Sequence, residues 1–129
     1  MDWVVGGQEY AGRGWRMLVE LLSIGRSISL PAMGVASGKA GYRYTGAYAR
    51  IREQFNTPIA NFEGIQEPLA RIAGMTYRLE ACRRLTSHAI DLGVKPSVIS
   101  GIAKYHMTEM GRSVVDDSMD IHGGRHHHG

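Results

Sequence analysis

Residues 31–55 read PAMGVASGKAGYRYTGAYARIREQF, and this stretch rich in glycine and alanine is the strongest structural signal in the chain. We expect a long helix over residues 27–54, because apolar and small residues recur there at spacings of three and four. Pro31 is tolerated in a first helical turn, so the helix should begin close to it. The predicted buried stripe consists of Met33, Ser37, Ala40, Tyr44, Ala47, Ile51 and Phe55.

Glycine is unusually frequent, at 17 of 129 residues. This is about twice the average share. Gly34, Gly38, Gly41 and Gly46 lie inside the predicted helix, where each costs roughly 1 kcal/mol relative to alanine. Two explanations are open for what compensates for this cost. Either the small residues let a neighbouring helix backbone approach closely, or a flat ligand lies against the helix.

Turn signals divide the rest of the chain into two further helices. Asn56-Thr57-Pro58 should end the first long helix, and the second should run from about residue 61 or 66 to residue 92, with Pro68 in its first turn or at a kink. Gly93 should end this helix, and Pro96 should start a third that reaches residue 122. The predicted buried faces are Ile65, Leu69, Ile72, Thr76 and Leu79 in the second helix, and Ile99, Ile102, His106, Met110, Val114 and Ile121 in the third, with His106 as a hydrogen-bonded core residue.

The chain before residue 27 carries weaker signals. Trp3-Val4-Val5 is typical of a short β-strand, and residues 15–22 are typical of a short helix that ends near Gly25. Together these patterns predict an all-α, up-down helical bundle preceded by a short β-strand remnant.

The composition is that of an ordinary folded chain. Fifteen Lys and Arg against 12 Asp and Glu give a net charge of +3, and 43% of the residues are hydrophobic. This apolar content is too high for disorder, and no apolar run is long enough to span a bilayer. The basic residues are dispersed, which argues against a nucleic-acid partner. The single cysteine, Cys82, and a start without signal-peptide features favour a reducing, intracellular setting.

Two helix ends hold the residues of greatest chemical interest. Arg52 could interact with the partial negative charge of its helix end, or bind a phosphate through its forked guanidinium. The pair Gly123-Gly124 could cap the third helix, or let backbone amides approach an anion or a planar group. The carboxylates are scattered singly, or lie about 100° apart on a helix in the pair Asp116-Asp117. The sequence contains no motif for a hydrolase, a phosphate-binding loop or a metal site.

Six segments of the chain, taken in order, carry a resemblance. They are AGRGWRML (11–18), GRSISLPA (25–32), YARIREQF (48–55), EPLARIAG (67–74), KYH (104–106) and MDIHGG (119–124). Together they resemble the acyl-CoA dehydrogenase family, with the closest likeness to its bacterial long-chain FadE-type branch. The resemblance implies that residues 1–14 close a middle β-domain and link out of it. It also implies that residues 15–124 form an incomplete C-terminal helical domain with three of four bundle helices, and that residues 125–129 are a tail outside the family pattern.

The resemblance assigns a first group of residues to the cofactor FAD. Arg52 matches an arginine that contacts the FAD pyrophosphate of a neighbouring subunit, with Gln54 and Phe55 beside the same cofactor. Phe62 and Glu63 match a flavin-contacting pair whose second member is glutamine in many relatives. The acidic Glu63 departs from that pattern.

A second group matches other parts of the family's site. Asp120, Gly123 and Gly124 match a Gln-x-x-Gly-Gly segment that holds the adenosine side of FAD, with aspartate in place of glutamine. Arg26 matches an arginine that borders the acyl-CoA site. Gly25 stands where a minority branch keeps its catalytic glutamate, which excludes that branch.

The activity implied by the resemblance is FAD-dependent α,β-dehydrogenation of a fatty acyl-CoA to a trans-2-enoyl-CoA in fatty-acid β-oxidation. A glutamate removes the α-proton while a hydride passes to the flavin. In most members this glutamate follows the Gly-Gly pair, so we expect the isolated chain to lack turnover. The implied partners are the acyl-CoA, a second subunit in a homodimer or larger homo-oligomer, and an electron-transfer flavoprotein or equivalent acceptor. The implied location is cytoplasmic, with a peripheral inner-membrane association as the alternative.

Two other classes of function stay open at the level of sequence. One is a non-catalytic helical scaffold or interaction module, which would not bind flavin. The other is a metal protein that uses His122 and the tail histidines at 126–128, which predicts tight binding of zinc or nickel.

Overall fold

Four α-helices dominate the computed structural model, which describes residues 3–94 and 97–123. Helix α1 spans Gly14–Ala40 and continues through a π-helical segment at Gly41–Thr45 into α2 at Gly46–Ile51. An antiparallel hairpin of β1 (Glu53–Gln54) and β2 (Thr57–Pro58) leads to a 3₁₀ turn at Ile59–Asn61. Helices α3 (Glu63–Asp91) and α4 (Ser97–His122) follow, and a further 3₁₀ turn at Gln8–Tyr10 precedes α1.

The helices form an up-down-up bundle in which α1, α3 and α4 each contact the other two. The hairpin reverses the chain before α3, and a short connection reverses it again before α4. Helices α1 and α4 therefore run in the same direction, with Gly34 against Met107 and Gly41 against Val114 further along. This architecture confirms the predicted all-α bundle.

Two buried clusters form the core. Both draw on α3, whose predicted buried face is confirmed: Ile72 and Leu79 are buried, while Ile65, Leu69 and Thr76 are half-buried. The predicted bounds of α3 and α4 also agree closely with the structure. The first cluster consists of Ala49, Ile59, Ile72, Val114 and Ile121, and the second of Val35, Leu79, Ala103 and Met107.

Close helix contact accounts for three of the four glycines in the first long helix. A Cβ at Gly34 would lie 2.6 Å from the backbone oxygen of Met107, and one at Gly41 would lie 2.6 Å from a side chain of α4. Gly38 is similarly close to α3, whereas a Cβ at Gly46 would meet no atom within 4 Å. At the first three positions the close-packing interpretation is therefore correct.

The strand predicted at Trp3-Val4-Val5 is wrong. These residues form a turn, closed by a 3.0 Å hydrogen bond from the N–H of Gly7 to the carbonyl of Val4. A strand needs a neighbour for its backbone groups, and within residues 3–94 and 97–123 the only strand pairing is the hairpin after α2. The short apolar run Trp3-Val4-Val5 has no partner strand in the described ranges, so it does not form a strand.

The predicted bounds of the first long helix are also wrong. Helix α1 runs without interruption past Gly25, and Pro31 lies inside it rather than in its first turn. An interior proline removes a backbone hydrogen bond, but the Pro31 side chain is fully buried, so packing outweighs the local cost. At the other end, α2 stops at Ile51 rather than Gln54 because the next residues pair in the hairpin.

The predicted buried stripe of the first long helix is wrong in phase, and that of the last helix is correct only in its second half, where Val114 and Ile121 are buried and Met110 is half-buried. The contact between α1 and α4 is made by small residues, since a Cβ at Gly111 would lie 3.1 Å from the Cα of Gly34. Bulky neighbours are turned outward as a result, and the prediction of His106 as a core residue fails with them. The exposed members of the predicted stripes are Met33, Tyr44, Ala47, Ile51 and Phe55 in the stripe of the first long helix, and Ile99, Ile102 and His106 in that of α4.

Candidate functional site

Arg52 anchors the turn between α2 and α3. Its N–H donates a 2.8 Å hydrogen bond to the carbonyl of Tyr48, and its own carbonyl accepts a 2.8 Å hydrogen bond from the N–H of Ile59. The guanidinium is on an exposed residue and makes no hydrogen bond or ion pair with the described part of the chain. The backbone of Arg52 is thus fixed while its charge remains available to an anion.

Phe55 and Asn56 form the two-residue tip of the hairpin in a left-handed conformation, with φ values of 53° and 60°. Such tips favour Asn-Gly, and a positive φ at a bulky residue costs about 1–3 kcal/mol. The Phe55 side chain is nevertheless 91% exposed, with its ring edge-on to Phe62 and 6.5 Å between ring centroids. The backbone strain at Phe55 therefore comes with a ring that is exposed to solvent, and packing within the chain does not compensate for this strain.

The remaining members of the first predicted group lie in the same turn region. Gln54 pairs with Thr57 in the hairpin. Phe62 precedes α3 in an extended conformation, and Glu63 is the first residue of the helix, where the partial positive charge of the helix end favours a carboxylate. All five predicted residues are therefore brought together within residues 52–63.

The C-terminal end of α4 reaches the same end of the bundle. The imidazole of His122 stacks on the ring of Tyr48, with ring centroids 4.1 Å apart and planes 18° apart. Gly123 follows with a left-handed φ of 61°, and a Cβ there would meet no atom within 4 Å. Because Tyr48 lies one turn before Arg52, the structure places Gly123 at the end of the molecule that also carries Arg52.

An ion-pair cluster that the sequence interpretation missed ties α4 to the start of α3. Arg71 donates from Nε and Nη2 to the Oδ2 and Oδ1 atoms of Asp117, at 3.1 and 2.7 Å, and from Nη1 to Oε1 of Glu67 at 2.9 Å. The hydrogen bond to Asp117 raises the pKa of Arg71. These hydrogen bonds tie Asp117 of α4 to α3. Asp117 lies about one helical turn before Asp120, and Asp120 lines a small polar cleft beside the start of α3. Only the Arg71–Glu67 spacing of four residues was visible as a local signal.

One predicted site residue, Arg26, is not brought to this end. Arg26 lies in α1, 25 positions before the last residue of α2. At 1.5 Å per residue this is roughly 38 Å along the helix. The Arg26 side chain and the whole of Gly124 lie outside the described part of the structure. The candidate substrate residue is therefore remote from the candidate cofactor residues.

Two further features, a metal site and a membrane span, concern residues 3–94 and 97–123. No group of three or more His, Cys, Asp or Glu side chains there is arranged to hold a metal ion. None of the helices in these ranges combines the length and the apolar character needed for a membrane span.

The family model of the acyl-CoA dehydrogenase C-terminal domain matches residues 12–126. The chain belongs to the acyl-CoA dehydrogenase family. A 3-(aryl)acrylate reductase of Clostridium sporogenes is 34% identical over 116 residues, which cover 87% of this chain and 29% of the reductase. An acyl-CoA dehydrogenase of Bacillus subtilis is 32% identical, with 88% and 30% covered. The bovine mitochondrial short/branched chain specific acyl-CoA dehydrogenase is 31% identical, with 88% and 26% covered.

The chain thus spans less than a third of the length of these relatives. Acyl-CoA dehydrogenases generally bind FAD, and the turn region fits such a nucleotide. The unpaired guanidinium of Arg52 suits a phosphate, and the open backbone of Gly123 allows close approach. Glu63 and Asp120 accept but do not donate hydrogen bonds when ionised, so they suit hydroxyl or amine groups of the nucleotide rather than its phosphates.

Proposed function

We propose that this chain is the C-terminal helical part of an FAD-dependent acyl-CoA dehydrogenase that converts a fatty acyl-CoA to a trans-2-enoyl-CoA in fatty-acid β-oxidation. The observation that carries the proposal is the gathering of Arg52, Phe55 and Gly123 at one end of a bundle of this family. The proposal includes a long-chain FadE-type substrate range, a homo-oligomer that shares the cofactor, an electron-transfer flavoprotein or equivalent acceptor, and a cytoplasmic or inner-membrane-peripheral location.

FAD, when bound, supplies the acceptor for the hydride that leaves the acyl chain. In this proposal Arg52 pairs with the pyrophosphate, and the exposed ring of Phe55 packs against the nucleotide. The stack of Tyr48 on His122 holds the end of α2 beside the end of α4, so that Gly123 borders the same nucleotide. No carboxylate among the described residues is proposed as the base, and the isolated chain is expected to be inactive.

Nucleotide titration tests the cofactor assignment. The chain is titrated with FAD and with riboflavin, which lacks the phosphates, and binding is followed by flavin fluorescence. We expect FAD to bind and riboflavin to bind at least about tenfold more weakly, because Arg52 recognises phosphate. Arg52→Gln should weaken FAD binding by a similar factor, while Arg78→Gln, an exposed arginine in the middle of α3, should leave it unchanged. Equal affinity for the two flavins, or no binding of either, would favour the scaffold alternative.

A second candidate function is the reverse chemistry, reduction of a 2,3-double bond. It is favoured by the 34% identity to a protein named 3-(aryl)acrylate reductase. Turnover assays on a protein that contains this chain in its native context separate the two directions. Oxidation of palmitoyl-CoA with an artificial electron acceptor supports the dehydrogenase. Consumption of an acrylate-type substrate when an artificial electron donor such as reduced methyl viologen is supplied, without palmitoyl-CoA oxidation, supports the reductase.

A further inference from the structure

A second concave surface lies between the π-helical segment, α2 and α3, and none of the residues predicted for FAD or acyl-CoA lines it. It is a cleft of about 560 Å³ that opens to solvent. Small-molecule sites typically measure about 300–1,000 Å³ and combine an apolar lining with a few polar groups. The cleft has this character: its apolar floor is formed by the less exposed Ala60, Leu69 and Ile72, and its exposed rim by Tyr42, Arg43, Ala47 and Arg50.

The charge of the cleft is unbalanced. Arg43 and Arg50 are exposed, and neither makes a hydrogen bond or ion pair with any residue in the described ranges. No carboxylate lines the cleft. Some arginines elsewhere in the bundle are held by carboxylates, as Arg71 is by Asp117 and Arg83 by Glu80. The two guanidiniums at the rim have no such partner, and unlike Arg52 and Arg78, which also make no hydrogen bond or ion pair within the described ranges, they lie together beside one cleft.

The spacing of the lining residues leaves room for a ligand between these charges. Arg43, Ala47 and Arg50 follow one another at intervals of four and three residues, which places them on one helical face. Seven residues correspond to about 10 Å along the axis, within reach of two long side chains that converge on one head group. Gly46 and Ala47 keep the space between them open, since a Cβ at Gly46 would meet no atom within 4 Å.

The rim also contains the π-helical segment at Gly41–Thr45. Single π-helical turns are rare and are frequently found at functional sites. Here the turn buries Thr45, which is 1% exposed, while Tyr42 is 56% exposed at the cleft. An irregular turn at a charged cleft is a second, independent indication that this surface has a binding role.

We propose that the cleft binds an organic anion with an apolar chain, such as a medium-chain carboxylate or phosphate monoester. The two guanidiniums of Arg43 and Arg50 hold the head group, and the chain lies against Leu69 and Ile72. A bare inorganic anion would leave the apolar floor without a contact. A neutral apolar chain would leave the two positive charges without a partner. The proposal does not depend on flavin binding, because no residue of the cleft belongs to the nucleotide site.

Isothermal titration of the chain at low ionic strength tests this inference with three probes: decanoate, decanol and inorganic phosphate. Decanoate should bind saturably below its micelle concentration. Decanol and phosphate should each bind at least about tenfold more weakly, because decanol lacks the negative charge and phosphate lacks the apolar chain. Equal binding of decanol and decanoate, or no saturable binding of decanoate, overturns the proposal.

Substitutions locate the site. The double variant Arg43→Gln/Arg50→Gln should weaken decanoate binding by about tenfold or more, while Arg78→Gln is the matched control on an exposed helical position and should bind as wild type does. Ala47→Phe should abolish binding by filling the cleft. All these positions are exposed, so far-UV circular dichroism should stay native. Retention of wild-type affinity in the double variant or in Ala47→Phe overturns the proposal.

Discussion

The ring of Tyr48 lies almost parallel to the imidazole of His122, with their centroids 4.1 Å apart. Tyr48 belongs to the last turn before Arg52, and His122 immediately precedes Gly123. This contact joins the end of the first long helix to the end of the last one. The two parts of the proposed nucleotide site are consequently held side by side, although they are far apart in the sequence.

Gly34→Ala should destabilise the fold by about 1–3 kcal/mol, because overpacking at a tight helix contact costs this much. The new Cβ would lie 2.6 Å from the backbone oxygen of Met107, which cannot move aside as a side chain can. Gly74→Ala is the matched control, since a Cβ there meets no atom within 4 Å on an exposed part of α3. It should stabilise the protein by up to roughly 1 kcal/mol. Urea unfolding measures both, and equal effects would contradict the assigned contact.

Arg71→Lys should loosen the last turns of α4. Lysine cannot make the two-pronged contact with Asp117 that the guanidinium makes. We expect a lower melting temperature and faster amide hydrogen exchange within residues 117–123. Arg16→Lys is the control, because the exposed Arg16–Glu20 pair on one helix should matter little. If exchange in residues 117–123 stays at the wild-type rate, the pair does not hold this end of the bundle.

Glu80 lies among three cations at the junction of α1 and α3. Its carboxylate is 2.7 Å from Arg83, 3.0 Å from Arg84 and 3.1 Å from Lys39. Hydrogen bonds from Arg83, then Arg84 and Lys39, hold the pKa of Glu80 well below its ordinary value. A lowered pKa in the folded state means that the ionised carboxylate stabilises the fold above its unfolded-state pKa. That contribution is lost as the pH falls toward the folded-state pKa.

Glu80→Gln should therefore lower the melting temperature near neutral pH. The difference from wild type should narrow progressively below about pH 4.3, the ordinary pKa of glutamate. Glu109→Gln serves as the control, because Glu109 makes only a 3.5 Å exposed pair with Arg112. Melting curves recorded from neutral to strongly acidic pH test this. A difference that stays constant across the series would contradict the assigned role.

Phe55→Asn should stabilise the isolated chain by about 1 kcal/mol, because asparagine tolerates the left-handed conformation that strains phenylalanine. The same change should weaken FAD binding, since it removes the exposed ring. Ile51→Asn is the control: Ile51 is also highly exposed but lies at the end of α2, where no such strain exists. Denaturant unfolding that shows Phe55→Asn to be destabilised would contradict the strain argument.

Helical period and terminating residues predicted α3 and α4 well, because Gly93, Pro96 and the apolar face of α3 act locally. The same rules gave the wrong buried face for α1. Periodicity follows the largest apolar residues, whereas the contact between α1 and α4 selects the smallest, Gly34 and Gly111. The prediction that this helix begins close to Pro31 was also wrong, because burial of the proline ring compensates for the lost hydrogen bond.

The amino-acid sequence was sufficient for the helical class, the bounds of the later helices and the family, because helix signals and family segments are strings of neighbouring residues. It was also sufficient to group Arg52 with Glu63, which are close along the chain. The pairing of Arg71 with Asp117 and the approach of Gly123 to the Arg52 turn came from the folded bundle alone. These contacts join residues on different helices, and their geometry depends on how the helices pack, which no local pattern specifies.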